Sequence, residues 1–435
     1  MPSQWITAIS EKLRKPVPPA LAPPDSYDPV EVAAMLREIG VALVETSEPV
    51  QTVEQRLLNI AARYTTQPVQ VGALPTMMFI QIGTDAYEMD SSVAGSGQMN
   101  MAGATEEIAE LAGAGAITPK DAVAAVHAAR MVPPRFGALT TTLGYALTTV
   151  GFGMVIDPSW KGLLAHLFLG LVVGLIVQTT RPFPNLAPIV PTLSALVVTL
   201  LATWFVADVA DDGLLRVISP ALIATLPGMA LVIGSIELAG GRVVSGASRT
   251  VYGMAQMGLL IYGVVLGVRI AGEVPPVAPA STMGPWSVYA SIVVIAVGLY
   301  IYLSAPKGSF VWLLLTIAVA TLSQTLAGQV LNTGHSGFIG AMVAIPFAVL
   351  CAQLKGAPPT SVLTLAAFWT LVPGQLTFMS IGRHAAADFA NTATISVAGA
   401  AIVSIALGAL VGWSLVGTVS APRQPDLPSR AARQG

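Results

Sequence analysis

The chain has 435 residues, of which 54% are hydrophobic and only 10% charged, with a formal net charge of −2. Ordinary soluble domains carry about 25% charge, so a soluble protein of this size is excluded, and so is a general polyanion binder, which needs surplus lysine and arginine. The single cysteine, Cys351, excludes an internal disulfide framework, and four histidines speak against a zinc cluster. An integral membrane protein is what remains.

Residues 1–26 combine Pro16, Pro18, Pro19, Pro23 and Pro24 with Lys12, Arg14 and Lys15. No apolar stretch of a signal peptide follows those charges, and the segment reads as a flexible, extended tail. Residues 27–133 read as a small cytoplasmic α+β domain. Asp28 is an N-cap before Pro29, and Val32, Met35, Leu36, Ile39 and Leu43 recur at helical spacing. Val53, Leu57, Leu58 and Ile60 mark a second helix ending near Tyr64. The stretch 69–83 predicts one or two strands, and 91–104 a loop. Helices then open at Thr105 and at Thr118, the latter with Pro119 in its first turn.

From Phe136 onward the chain changes class. Apolar runs occupy 136–156, 160–179, 187–207, 217–238, 250–271, 287–304, 309–329, 337–354, 361–382 and 391–417. Each is long enough to cross about 30 Å of hydrocarbon. The expected fold is therefore a mostly α membrane protein with about ten transmembrane helices. They group as two inverted five-helix repeats, 134–273 and 285–417, preceded by the α+β domain and followed by a polar tail, 418–435. Arg130, Arg135, Arg181, Arg242, Arg249, Lys307, Lys355, Arg423, Arg430 and Arg433 then share the side of the N-terminus. Only Lys161, Arg216, Arg269 and Arg383 fall opposite, so both termini are expected in the cytoplasm.

The repeat is visible in two Pro-Gly pairs. Pro227-Gly228 and Pro373-Gly374 lie 146 residues apart, each inside the fourth apolar run of its half. Five runs per half is an odd number, so the second half enters the bilayer from the other side. Secondary transporters use this construction, with the substrate site between the repeats near the midplane. Proline deletes a backbone hydrogen bond and glycine lets the chain unwind. The freed amides and carbonyls suit the two charges of an amino acid. A kink that merely shapes the bundle is the other reading. The site expected on these grounds is Thr225, Pro227 and Gly228 facing Pro373, Gly374 and Gln375.

Charge within the apolar runs is sparse. Glu237 falls near the inner interface, within reach of Arg242 or Arg249, and Glu237 with Arg249 is a candidate inner gate. His166, five residues into the second run, is a candidate coupling group that titrates near neutral pH, or else a packing histidine. Gln178, Gln324, Gln353 and Gln375 can bond substrate or neighbouring helices. The spacings Gly170-x-x-x-Gly174, Gly263-x-x-x-Gly267 and Gly408-x-x-x-Gly412 permit close helix approach. There is no GxxxxGK[ST], GxSxG, HExxH or CxxC pattern, which removes P-loop ATP binding and weakens hydrolase and metalloenzyme readings. In Gly334-His335-Ser336-Gly337, neighbours in sequence do not make a triad. No catalytic residue, metal site or cofactor is expected.

The order of parts resembles the threonine/serine exporter family of bacterial inner-membrane proteins. The matching stretches are Ala42-Leu43-Val44-Glu45-Thr46-Ser47, Val53-Glu54, Arg63-Tyr64, Gly115-Ala116-Ile117-Thr118, Asp121-Ala122 and Pro133-Pro134-Arg135-Phe136. The two Pro-Gly helices and Gly337-Phe338-Ile339-Gly340-Ala341 extend the likeness to most of residues 31–417. One departure is Ser47-Glu48-Pro49, where the family tends to have Ser-Gly. The resemblance implies export of threonine and serine from the cytoplasm, driven by the proton motive force, with protons as coupling ion. Two alternatives stay open. One is a membrane-anchored enzyme whose acid or base is Glu45, Glu54, Asp85 or Asp90; the other is a passive small-solute channel.

Overall fold

The computed structural model describes residues 15–16, 18–90, 98–206, 214–272, 282–331, 334–371 and 393–420. Its N-terminal unit starts with helix α1 (Pro29–Glu45), where the Asp28 carboxylate accepts from the Val30 amide, as an N-cap should. Ser47 turns the chain with φ +68 before α2 (Val50–Ala61). Strands β1 (Val69–Leu74), β2 (Met77–Ile82) and β3 (Asp85–Asp90) form one antiparallel sheet in the order β1-β2-β3. The third strand lies beyond the stretch the sequence marks as β. Its run Asp-Ala-Tyr-Glu-Met-Asp has little β character of its own, so pairing with β2 decides it.

Helix α3 (Met99–Ala114) starts six residues before the expected Thr105, within the stretch read as loop. Met99 is fully buried and its amide donates to the Leu303 carbonyl at 2.9 Å, so tertiary contact holds the extra turn and a half. Helix α4 (Pro119–Arg130) has the expected cap, with Thr118 Oγ1 accepting from the Asp121 amide.

A single apolar core joins these elements. Met35, Leu36, Ile39 and Leu43 of α1 meet Leu57 of α2 and Met78, Ile80 and Ile82 of β2. The strand alternates inward Met78 and Ile80 with outward Phe79. Burying each such side chain contributes about 1.5–3 kcal/mol. The buried carboxylates are paired, since an unpaired one costs several kcal/mol: Glu38 with Arg130 at 2.8 Å and Glu106 with Arg56 at 3.0 Å.

Beyond Arg135 the chain is a stack of apolar helices. They are α5 (Ala138–Ile156), α6 (Trp160–Thr180), α7 (Val190–Phe205), α8 (Leu214–Ile218), α9 (Gly228–Ala239), α10 (Val243–Ala271), α11 (Trp286–Tyr302), α12 (Phe310–Val330), α13 (Ser336–Ala352), α14 (Thr360–Leu371) and α15 (Ala393–Ser420). Among the described residues α5, α6, α10 and α12 are each long and apolar enough to cross a membrane. A fifth crossing results if α8 and its extension are joined to α9 across a 66° bend. The others are apolar but shorter, counting residues 400–416 of α15. The protein is thus a mostly helical, multi-pass membrane protein.

Two of the expected apolar runs come out differently. The run 217–238 is not one helix but α8, a 3-10 turn over Ser219–Thr225, and α9. The run 250–271 begins earlier, at Val243, and its 29-residue helix reaches the N-terminal unit.

The molecule has two distinct ends. At one, the N-terminal unit and the segment before it meet the ends of four helices: Lys15 amide to Gln353 carbonyl, Gln98 beside Arg181, Val50 to Glu237, and Met99 to Leu303. At the other, the α5–α6 connection pairs with the segment before α11. Ser159 bridges Thr282, the Met283 amide donates to the Pro158 carbonyl at 2.7 Å, and the rings of Trp160 and Trp286 lie 5.6 Å apart.

Candidate functional site

The break before α9 is the one place where an apolar run loses its regular helix in the described residues, and its cause is local. Pro227 has no amide hydrogen to continue the ladder, and the residue before a proline avoids helical ψ. Leu226 accordingly adopts φ −70, ψ 132. The preceding seven residues tighten into a 3-10 turn, and the Thr225 hydroxyl folds back to donate to the Leu222 carbonyl at 2.6 Å. Helix α9 then starts at Gly228 with Pro227 as N-cap and no side-chain cap. The first amides of a helix have no partner within it, so the break presents polar backbone in an apolar bundle.

Residues from several helices hold this segment. Tyr145 of α5 is fully buried and its hydroxyl donates to the Ala221 carbonyl at 2.6 Å. Its ring meets Tyr302 of α11 edge-on at 4.9 Å, and Tyr302 meets Trp369 of α14 at 6.0 Å. Leu226 packs against both adjoining apolar clusters, one built on α5–α10 and the other on α11–α14. Thr225 and Pro227 are half-buried and Gly228 is buried. Pro373, Gly374 and Gln375, expected to face them, lie outside the described residues. Trp369, four positions earlier on α14, does lie beside the aromatic group at the break.

The candidate gate residues sit elsewhere. Glu237 is fully buried near the end of α9, about 14 Å from Gly228 at 1.5 Å per residue. It pairs with Arg249 at 3.2 Å, not with Arg242. Ser245 Oγ donates to its Oε2 at 2.6 Å, and the Val50 amide donates to its Oε1 at 3.1 Å. Arg242 turns the other way and pairs with Glu54. His166 is fully buried in the second turn of α6, at the end of the molecule away from the N-terminal unit. Its nearest charged partner is Asp157, 3.7 Å from Nε2. Gly153 makes its niche: a Cβ there would come within 2.1 Å of the imidazole. The structure therefore separates Glu237 and His166 rather than joining them in one site.

Two of the four acids considered for an enzyme are paired. Glu45 pairs with Arg130 at 3.2 Å; burial pushes its carboxyl up while Arg130 opposes. Glu54 accepts from the Ala73 amide at 3.0 Å and pairs with Arg242. The side chains of Asp85 and Asp90 lie outside the described residues.

A family model described as "Putative threonine/serine exporter" matches residues 34–271, more than half of the chain. The protein belongs to the threonine/serine exporter family. The matched stretch runs from α1 to the end of α10 and so takes in the N-terminal unit, the broken helix, Glu237, Arg249 and His166. No curated protein and no solved structure matches the chain. Within this family member, sequence reading missed Tyr145, Tyr302 and Trp369 at the break, and Val50 and Ser245 on Glu237. A buried tyrosine in an apolar run carries a hydroxyl that needs a partner, which is the one signal that points to Tyr145.

Proposed function

We propose that this family member is a secondary exporter of threonine, serine or similar small amino acids, moving them out of the cytoplasm against entering protons. In this reading ten helical spans form two inverted five-helix halves, 134–273 and 285–417, in a bacterial inner membrane. The α+β unit 27–133 and the tail 418–435 are cytoplasmic. Substrate binds where Thr225, Pro227 and Gly228 face Pro373, Gly374 and Gln375, with Glu237, Arg249 and His166 in gating or coupling. The observation that carries the reading is the uncapped helix start at Gly228, half-way along an apolar run. Its amides suit a carboxylate, and unwound carbonyls beside it suit an ammonium group.

Two features support the repeat. A Cβ on Gly263 would strike the Thr192 carbonyl at 2.4 Å, and one on Gly408 the Phe338 carbonyl at 2.1 Å. Gly267 and Gly412 approach the carbonyls of Leu196 and Met342, each at 3.3 Å. All four positions of the first half recur 145 or 146 residues later, the spacing of the Pro-Gly pairs. Helix α10 thus packs on α7 as α15 packs on α13. The α5–α11 contact supports a two-fold relation as well. Gly151 abuts Ile295 while Gly298 abuts Thr148, and the two contacts exchange under a shift of 147 residues. The four connections gathered at the N-terminal unit alternate with the α5–α6 connection at the far end, which supports termini on one side.

The test is efflux from cells preloaded with labelled threonine, with and without the protein, before and after a protonophore. The expected result is efflux against a gradient, abolished by the protonophore and by Pro227→Ala/Gly228→Leu. Efflux indifferent to the protonophore means a passive channel. Unchanged efflux of threonine and serine, with the protein present in the membrane, removes the substrate assignment.

A further inference from the structure

The N-terminal unit has a reason to touch the membrane helices where it does. Helix α2 begins at Val50 behind Pro49, which offers no side-chain cap. Its cap comes from 187 positions away: the Glu237 carboxylate takes the Val50 amide. A carboxylate at a helix N-terminus is favoured by the unpaired amides and by the helix dipole. One turn further along α2, Glu54 takes Arg242, and the same Glu54 is tied to β1 through the Ala73 amide. Between these contacts Gln51 Oε1 occupies the place a Cβ would take on Gly240, 1.9 Å from it. The turn between α9 and α10 is therefore held by α2 at Glu237, Gly240 and Arg242.

The same turn ends the broken helix. The break at Leu226–Pro227 and the clasp at Glu237 lie at opposite ends of one short, straight rod. A swing of 10° at the break displaces Glu237 by about 2 Å, given about 14 Å between them. A hydrogen bond of 3.1 Å does not survive such a displacement. Arg249 and Glu237 are both withdrawn from solvent, and separating a buried pair leaves uncompensated charge. The clasp consequently has two states, closed with Glu237 on Arg249, Ser245 and Val50, or open and wetted, with little between.

We infer that the N-terminal unit is a latch on the cytoplasmic end of the broken helix, closed by Glu237 on the α2 amide and by Arg242 on Glu54, and that it must open for α9 to swing during transport. This rests on the exporter reading above and gives the N-terminal unit its role within it.

The experiment uses the full chain with Cys351→Ala, carrying Glu54→Cys and Arg242→Cys, and a reducible bifunctional thiol reagent. Cross-linking is expected to lower threonine efflux at least tenfold, and reductant to restore it. Full-rate efflux from the cross-linked protein overturns the latch, because the unit is then a static base. A second measurement needs no substrate: hydrogen exchange of the Val50 amide in the purified wild-type chain and in Glu237→Ala. The latch requires Val50 to exchange at least tenfold faster than the core amide of Leu57 in the wild type, and faster again in the variant. Val50 exchange as slow as Leu57 in the wild type overturns it. If the wild-type chain exports neither threonine nor serine, the substrate assignment fails, and the exchange result still decides whether the latch opens.

Discussion

The Tyr145 hydroxyl donates to the Ala221 carbonyl at 2.6 Å, tying the middle of α5 to the 3-10 turn that precedes the break. Both groups are buried, so removing one leaves the other unsatisfied at a cost of about 1–3 kcal/mol. Tyr145→Phe keeps the ring contact with Tyr302 and deletes only this bond. The expected outcome is a lowered melting midpoint together with slower threonine efflux. A variant as stable and as fast as the wild type would show that the turn is held by packing alone.

The glycine contacts of the two halves should fail alike. Gly263→Ala and Gly408→Ala each drive a Cβ into a backbone carbonyl, which cannot rotate away. Each is expected to destabilise by about 1–3 kcal/mol, as overpacking does. Gly258, on the same helix as Gly263, has nothing within 4 Å of where a Cβ would sit, and Gly258→Ala is the matched control. Thermal unfolding of the three variants in detergent checks the order; equal midpoints for Gly258→Ala and Gly263→Ala contradict it.

Gly153 and His166 form a coupled pair. An alanine at 153 meets the imidazole at 2.1 Å, whereas His166→Ala empties that space. Gly153→Ala is expected to impair folding, and the double variant Gly153→Ala/His166→Ala to recover part of the loss. A coupling energy of about 0.5–3 kcal/mol in the double-mutant cycle is the signature; simple additivity removes the steric account.

A pH dependence follows from Glu48. Burial pushes its carboxyl up to about 7 from an ordinary 4.5, with Glu106 adding to the rise and Arg56, at 3.1 Å, opposing it. A group raised on folding contributes stability below about 4.5 that is lost as pH rises through about 7. Glu48→Gln cannot titrate. Its melting midpoint relative to the wild type is therefore expected to improve between pH 5 and pH 8. A difference that stays constant over that range sinks the assignment.

Much of the architecture was legible because it follows from short-range rules. Asp28 and Thr118 announce helix starts through the reach of their own side chains. The apolar runs announce the membrane helices because each must cover its own backbone in lipid. Pro227-Gly228 announces a kink or a break because the missing amide is a property of the residue, whatever surrounds it. Strand β3 and the first turns of α3 were not legible, since partners elsewhere stabilise them, Ile80 opposite Tyr87 in one case and Leu303 under Met99 in the other.

The functional contacts divide along the same line. Sequence alone determined that the chain spans a membrane, that its fourth apolar run carries a Pro-Gly interruption, and that Glu237 is a charge needing a partner. Only the tertiary structure decided which partner. Arg242 is nearer to Glu237 along the chain than Arg249 is, yet Arg249 takes Glu237 and Arg242 takes Glu54. Val50 is brought from 187 residues away to complete the site. The reason is physical: a buried carboxylate will accept any donor the fold delivers, and delivery depends on how α2 docks against the α9–α10 turn. That docking is a property of two assembled surfaces, and no local stretch of residues encodes it.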